Sequence, residues 1–407
     1  MNVLYISYDG MTDPLGQSQV LPYLVGLSDA NTKFFLLSCE KKKRFSAQKK
    51  TIEEITSKAG ITWIPLTYTK NPPVFSTLWD LQKIRETVFS LQKQYHFDIV
   101  HCRSYIAAIV GLQMKKKFGT RLIFDMRGFY ADERVDGKIW NLRNPVFNAV
   151  YNYFKKREKE FLEQADCTIT LTYAAREIIH GWKNIAGQPV PIEVIPCCAD
   201  LDLFNPKAVE LQKVNAILSQ NNLTGSEFII SYIGSLGTWY MPEEMMRFFK
   251  RLLMKRPEAI FFIVTHDDLQ VVFDLAEKFG VSKKNIRTAE AKRNEVPAYI
   301  SISAASIFFI KPVFSKKASS PTKQGEIMGM GIPIVCNSGI GDTDMVIHKY
   351  RAGWVVNDFT DAEFDRVISE MDSKPNKQNI RQGAQEFYSL TGGVKRYRSA
   401  YDKVALQ

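Results

Sequence analysis

Short, largely apolar runs recur along the chain at intervals that leave room for a helix between them. In the first half they fall at Val3–Ser7, Phe34–Leu37, Ile61–Pro65, Ile99–Cys102, Leu122–Asp125 and Cys167–Leu171. Runs this short and this apolar are what strands covered on both faces require. Between them the apolar spacing changes to that of amphipathic helices, most clearly over Thr77–Tyr95 and Val146–Ala165. The same rhythm returns at Phe228–Ile233, Ile260–Val264, Ile286–Arg287, Ala305–Ile310, Pro333–Cys336 and Gly353–Val356. This alternation predicts an α/β chain with two open parallel sheets, each with helices on both faces. Pro189, Pro191, Pro196 and Pro206 punctuate the middle and set domains at 1–196 and 197–389. A C-terminal helix at about 390–407 is expected to pack back on the first domain. Ligands of such sheets bind outside the carboxyl ends of the strands, so two facing sheets would leave a cleft between the domains.

One segment departs from plain patterning: Ser319-Ser320-Pro321-Thr322-Lys323-Gln324-Gly325-Glu326, running on to Gly331 and Pro333. It reads as a short helix with Ser320 as N-cap, Pro321 in the first helical position, and Gly331 and Pro333 ending it. Lys323 then lies in the first turn, where the helix dipole is already positive. Two sources of positive potential at one spot suggest an anion from outside the chain, and free N–H groups at a helix start bind phosphate. Glu326 shares that face one turn deeper. A carboxylate there can accept two hydroxyl hydrogen bonds from a ribose diol, so the pair fits a nucleotide diphosphate. The same spacing also fits a solvated Lys/Glu pair on an ordinary helix.

The chain has 407 residues, with 45% hydrophobic and 24% charged positions, as in an ordinary two-domain globular protein. Met1 leads directly into the first strand with no basic leader or apolar signal core, and no apolar run is long enough to cross a bilayer. Cys39, Cys102, Cys167, Cys197, Cys198 and Cys336 show no Cys-x-x-Cys spacing, which predicts buried free thiols and a reducing cytosol. Net charge is +11, of which +7 falls in residues 1–200, where 27 Lys and Arg face 20 Asp and Glu. The excess is clustered at Lys41–Arg44, Lys49–Lys50, Lys115–Lys117 and Lys155–Arg157. Such runs suit an anionic surface, phospholipid or nucleic acid, or are solvated helix ends. No nucleic-acid motif accompanies them.

A nicotinamide enzyme is disfavoured. The first strand is followed by Asp9-Gly10-Met11-Thr12-Asp13-Pro14-Leu15-Gly16, without G-x-G-x-x-G spacing, and Gly339-Ile340-Gly341 is a lone G-x-G. Glu40, after the second strand, could read a ribose only with that fingerprint upstream.

The chain instead resembles the retaining glycosyltransferases of family 4, which have the GT-B architecture of two facing Rossmann-like domains. The carriers are Tyr5–Gly10 through Gly16, Val194-Ile195-Pro196 with Asp200 to Phe204, and Ser231-Tyr232-Ile233-Gly234. Most specific is Ser319 to Pro333, which matches the family's Pro-x-Lys-x-x-Glu variant of the donor motif. The resemblance implies a nucleotide-sugar donor on the second domain, an acceptor on the first, no metal and no cofactor. It implies that Glu326 takes the ribose and that Thr322 and Lys323 lie beside the diphosphate. It also implies that Gly16, and Gly234, Ser235 and Gly237, form phosphate-side loops after the first strand of each domain. The Thr288–Arg293 segment would lie near the base, with backbone contacts expected.

Two departures stand out. Relatives carry an Arg just after the glycine and a Lys several residues later, where this chain reads Gly234-Ser235-Leu236-Gly237-Thr238-Trp239-Tyr240. The first glutamate of the usual E-x7-E pair is replaced by Ala318. Lys323, Lys311 or Arg127 would have to supply the missing charge. Catalysis then rests on fixed cations and helix N-termini aimed at the charge growing on the leaving diphosphate, with no protein nucleophile.

Acceptor candidates follow predicted strands: His101, Arg103, Asp125 and Arg127. Asp125 or His101 could orient the acceptor hydroxyl, and Arg103 or Arg127 could hold a phosphate. Alternatively His101 is a buried, satisfied histidine, and Arg127 is ion-paired with Asp125, Asp132 or Glu133. Asp200-Leu201-Asp202 and Asp342-Thr343-Asp344 are D-x-D tripeptides, but no metal site is expected. The expected function is sugar transfer to a glycan or polyprenyl-linked acceptor in cell-surface polysaccharide synthesis. The expected place is the cytoplasm, peripheral on an anionic inner membrane face, with no nucleic acid. The alternatives are a non-catalytic nucleotide-binding partner subunit and a basic nucleic-acid-binding protein.

Overall fold

Among the described residues every strand ladder is parallel. The structure, a computed structural model, describes residues 1–72, 74–373 and 375–406. The chain divides into two units, Met1–Pro196 with Leu390–Gln407, and Cys197–Ser389.

The first unit holds β1 (Asn2–Ser7), β2 (Lys33–Glu40), β3 (Thr62–Thr67), β4 (Ile99–Arg103), β5 (Arg121–Asp125), β6 (Cys167–Thr170) and β7 (Ile192–Val194). Their order in the sheet is β3-β2-β1-β4-β5-β6-β7. The second holds β8 (Ile229–Ile233), β9 (Ile260–Val264), β10 (Ile286–Ala289), β11 (Ala305–Phe308), β12 (Ile334–Asn337) and β13 (Gly353–Val356), in the order β10-β9-β8-β11-β12-β13. Both are open, Rossmann-like parallel sheets. β4 and β9 are buried along their whole length, the condition that made these runs apolar in the sequence. β7 was not foreseen, because three residues between prolines are too few to show a pattern.

In each sheet the strand order reverses beside the first strand, between β1 and β4 and between β8 and β11. Loops diverge there and leave a crevice at the carboxyl ends. In the first unit the register sets Arg103 beside both Ser7 and Asp125, so those three residues end their strands together. The first sheet is completed by the helix Leu390–Ala405, which packs on the helix Leu21–Leu27 and on β5. Its Tyr397 and Tyr401 are buried. In the second unit Phe248, Phe309 and Phe364 form an edge-to-face aromatic core. All six cysteines are buried and none is in a disulfide. No described helix is long and apolar enough to cross a membrane.

Candidate functional site

The donor-motif helix spans Thr322–Gly329. Its start differs from the sequence reading: Pro321 is the N-cap residue, with an extended ψ of 115°, and no side chain caps the turn. Ser320 is not the cap, because its Oγ accepts a hydrogen bond from the Cys197 N–H at 3.1 Å. Thr322 and Lys323 therefore open an uncapped helix whose first N–H groups are left for solvent or a ligand. Gly331, at φ +69°, ends it as expected.

Lys323 does not pair with Glu326. Its Nζ is buried without a hydrogen-bond partner and lies 4.3 Å from the ring centroid of Tyr232 and 3.7 Å from that of Tyr240. Burial pushes this ammonium down to about 7, and the nearby Glu326 carboxylate only partly opposes that. Gly234 closes the box. Its φ of +125° suits glycine, and a Cβ there would stand 3.0 Å from the Lys323 Nζ. The loop is held from the far side by Asp267, which accepts from the Leu236 N–H at 2.6 Å and the Ser235 hydroxyl at 2.8 Å. Ser235 in turn accepts from the Gly237 N–H at 3.2 Å. Gly234, Ser235, Gly237, Thr322, Lys323 and Glu326 thus belong to one unit, and the first three are joined to Lys323 through Gly234.

Glu326 is nearly buried and its Oε1 lies 2.9 Å from a guanidinium nitrogen of Arg293. Arg293 is half-exposed and also lies over Phe204, 5.3 Å from the ring centroid. The segment expected to offer backbone contacts therefore contributes a side chain. Two more cations lie in this unit: the Lys316 Nζ lies 3.6 Å from the Trp239 ring centroid, and the Lys317 Nζ lies beside the loop after β12, 3.6 Å from the place a Cβ on Gly339 would occupy. Lys311 is exposed and bonds through its backbone to Trp239. Nothing in local spacing marked Lys316, Lys317 or Arg293. The aromatic residues on either side of Gly234 were the available signal for the lysine box.

In the first unit the loop after β1 is shaped by Glu40. Its carboxylate accepts from the Met11 N–H at 2.7 Å, the Thr12 N–H at 3.1 Å and the Ser38 hydroxyl at 2.6 Å. Glu40 is therefore spent on its own loop. Gly16 is buried, and a Cβ there would meet the Gly10 oxygen at 2.3 Å. Its missing side chain lets the loop close on itself.

The acceptor candidates form one buried network at the ends of β4 and β5. Asp125 is fully buried, 3.5 Å from His101 Nε2 and 3.7 Å from Arg127, and it accepts from the Tyr397 hydroxyl at 3.3 Å. Burial works to raise this carboxyl, but Arg127, His101 and Arg103 outweigh it and hold it below the usual carboxylate range. His101 is buried too. Its Nδ1 lies 2.6 Å from the Tyr401 hydroxyl, and burial lowers its affinity for a proton against the opposing pull of Asp125. His101 thus takes the buried alternative, and Arg127 does pair with Asp125. Arg103 differs. It is 95% buried, yet its Nε and one terminal nitrogen have no hydrogen-bond partner, and the carboxylate it pairs with, Asp9, stands 3.5 Å away and half-exposed. Ser104 (φ +66°) and Arg127 (φ +60°) are both left-handed, backbone strain concentrated beside this guanidinium.

The first D-x-D tripeptide lies in a turn, and the second opens the helix Thr343–Tyr350 with Asp342 as its N-cap residue. Asp200 accepts from the Asp202 and Leu203 N–H groups, and Asp344 from Gly339. The basic clusters are partly ion-paired within the first unit, with Lys42, Lys43 and Lys156 left exposed. Lys41 and Arg44 both pair with Asp13 at 2.7 and 2.6 Å. Lys115 pairs with Asp166 at 2.7 Å, Lys155 with Asp132 at 2.9 Å, and Arg157 with Glu160.

Two family models match the chain: Glycosyltransferase Family 4 over residues 34–203 and Glycosyl transferases group 1 over residues 214–387. Among solved structures it is similar to a sucrose-phosphate synthase from Thermosynechococcus elongatus, at TM-score 0.72 and 15% identity over 99% of this chain and 98% of that one. It is similar to HepE of Anabaena in complex with UDP, at TM-score 0.69 and 11% identity over 99% of this chain and 100% of that one. WaaG, described as a glycosyltransferase involved in lipopolysaccharide biosynthesis, gives TM-score 0.65 and 15% identity over 98% of this chain and 99% of that one. At these identities the likeness is one of fold. No curated protein sequence matches the chain.

Proposed function

We propose how a chain that belongs to the GT-B glycosyltransferases of the family 4 type uses these residues. The second unit holds a nucleotide-diphosphate sugar, and the sugar passes, with retention of anomeric configuration, to a hydroxyl of a glycan or lipid-linked glycan bound by the first unit. The observation that carries the donor reading is the buried, unpartnered Lys323 Nζ beneath Gly234 at the uncapped start of the Thr322–Gly329 helix. An ammonium in such a place is costly until an anion arrives, and a diphosphate supplies that anion. Glu326, one turn deeper, accepts from the ribose diol, with Arg293 beside its carboxylate. As the bond from sugar to phosphate breaks, negative charge grows on the diphosphate. Lys323, the first helical N–H groups and the neighbouring Lys316 and Lys317 stabilise it where relatives use a loop Arg and Lys. The acceptor proton leaves with the departing phosphate, so no protein nucleophile is needed.

On the first unit, the partly unsatisfied Arg103 with Arg127 supports an acceptor carrying an anionic group, while Asp125 holds Arg127 in place. A polyprenyl-phosphate-linked sugar in the construction of a cell-surface polysaccharide fits that chemistry and would put the enzyme at a cytoplasmic membrane face. A solved HepE complex contains UDP-glucose, so UDP donors are the first to try. The decisive experiment titrates UDP, GDP and their sugars calorimetrically, then follows nucleoside diphosphate release from the tightest donor. Binding of a nucleotide sugar with slow hydrolysis is the expected result. No binding by any of them would end the donor reading, and binding with no turnover towards any glycan acceptor would favour a non-catalytic partner subunit, the reading that Ala318 encourages.

A further inference from the structure

One surface of the first unit combines exposed aromatics with unneutralised charge. The helix Phe75–Tyr95 buries Ser76, Asp80, Ile84, Val88 and Gln92, one residue per turn, against its unit. At its first turn the opposite face leaves Phe75 71%, Leu78 57% and Trp79 63% exposed. These three, with Asn71 and Pro72, wall an open recess of about 500 Å³ that has no charged residue in its lining. Large apolar side chains clustered in one turn, facing water, mark a contact with something else.

Further along the same face the character changes. Arg85 and Lys93, with Lys116 and Lys117 from the helix Ser104–Phe118, line a second groove of about 840 Å³ in which Glu86 is the only carboxylate. Lys116 is paired with Glu160 at 2.6 Å, and Lys117 lies over the Phe89 ring at 4.8 Å, its stem on apolar surface and its charge outward. An apolar end carrying a tryptophan, continued by a basic strip, is the composition of a surface that lies in the headgroup layer of an anionic bilayer. In the clusters that first suggested a membrane, Lys41 and Arg44 pair with Asp13, Lys155 with Asp132 and Glu158, and Arg157 with Glu160, while Lys42, Lys43 and Lys156 are exposed.

We propose that this helix edge is the membrane-docking surface: Phe75, Leu78 and Trp79 enter the headgroup layer of an anionic phospholipid bilayer, and Arg85, Lys93 and Lys117 meet lipid phosphates. This rests on the peripheral location proposed above and names its surface.

The test is sedimentation with vesicles of phosphatidylglycerol and phosphatidylcholine, against phosphatidylcholine alone. Compared are the unaltered protein, a Phe75→Ser/Leu78→Ser/Trp79→Ser variant, an Arg85→Gln/Lys93→Gln/Lys117→Gln variant, and a Lys42→Gln/Lys43→Gln control. All the changed side chains lie on the surface, and a UDP or UDP-glucose titration of each variant checks the rest of the molecule. The unaltered protein should sediment with anionic vesicles only and be released by about 0.5 M salt. Both edge variants should lose about tenfold or more in partitioning, and the control should keep it. Edge variants that sediment like the unaltered protein would overturn the proposal, as would equal sedimentation with neutral vesicles or none with anionic ones. Loss of a dimer by the apolar variant in ultracentrifugation, without a change in vesicle binding, would make the patch a self-contact and overturn it too. Donor titration is read separately, so failure here leaves the glycosyl-transfer reading standing.

Discussion

Each unit places a buried cation at the point where its strand order reverses, and the two are handled in opposite ways. In the second unit Lys323 sits between two tyrosine rings with no hydrogen-bonded counter-charge, and burial brings its pKa down to about 7. In the first, Arg103 and Arg127 are guanidinium groups that cannot shed a proton, and Asp125 is buried among them and kept ionised. A lysine can wait half-neutral for an anion and become fully charged when it comes. An arginine is charged from the moment of folding, so the fold must supply a carboxylate. The difference separates a residue suited to respond to a ligand from a network that is first of all part of the structure.

The sharpest way to break that comparison is Asp125→Asn. It leaves Arg127 without its carboxylate in the interior, and urea unfolding should show a loss of about 3–5 kcal/mol. A loss under about 1 kcal/mol, the range of exposed pairs, would mean that the network is not structural. Lys323→Ala should behave in the reverse manner. Stability should hold, because an unpartnered buried cation is removed, while kcat falls by about 10²–10³ with KM less affected. An unchanged kcat in steady-state assays would move the compensating charge to Lys311, Lys316 or Lys317.

Glu326→Gln comes next, with nucleotide affinity expected to weaken by about 1.5–3 kcal/mol in isothermal titration. Its pair with the half-exposed Arg293 adds little to stability. Undiminished affinity would take Glu326 out of the site.

The smallest effect is a proton. A diphosphate beside Lys323 restores its charge, so binding above pH 7 should take up a fraction of a proton that grows towards one by about pH 9 and vanishes near pH 5. Titrations in buffers of different ionisation enthalpy measure it, and Lys323→Met should abolish it. The same depressed pKa bears on stability with a definite sign. Between about 7 and the unfolded value near 10.4 the unfolded chain binds more protons, so this residue's penalty is full below pH 7 and fades as pH rises.

The sheets were legible because strands covered on both faces can only be apolar, and β9 and β13 fall where their patterns begin and end. The donor motif was legible as chemistry but not as geometry. Ser320 followed by Pro321 looks like a cap and a first helical residue, and only the third dimension shows the serine taken by Cys197 and the helix starting one residue later. Arg293 could not be linked to Glu326 because their meeting depends on how β10 and the Thr322–Gly329 helix are set in the fold. The pairing of Lys41 and Arg44 was hidden for the same reason: Asp13 lies in the loop after β1, far along the chain from both. Charge read one run at a time cannot see partners brought in by another element.

The last helix, Leu390–Ala405, has a consequence in time. Tyr397 and Tyr401 close over Asp125 and His101, yet a ribosome must first make the whole of Cys197–Ser389. At ordinary elongation rates of about 5–20 residues per second, that is a delay of about 10–40 s. Throughout it the first sheet exists as a nascent body whose charged interior is unroofed, and the second can mature before the first is finished. Synthesis order and assembly order are therefore inverted for the half of the protein that emerges first.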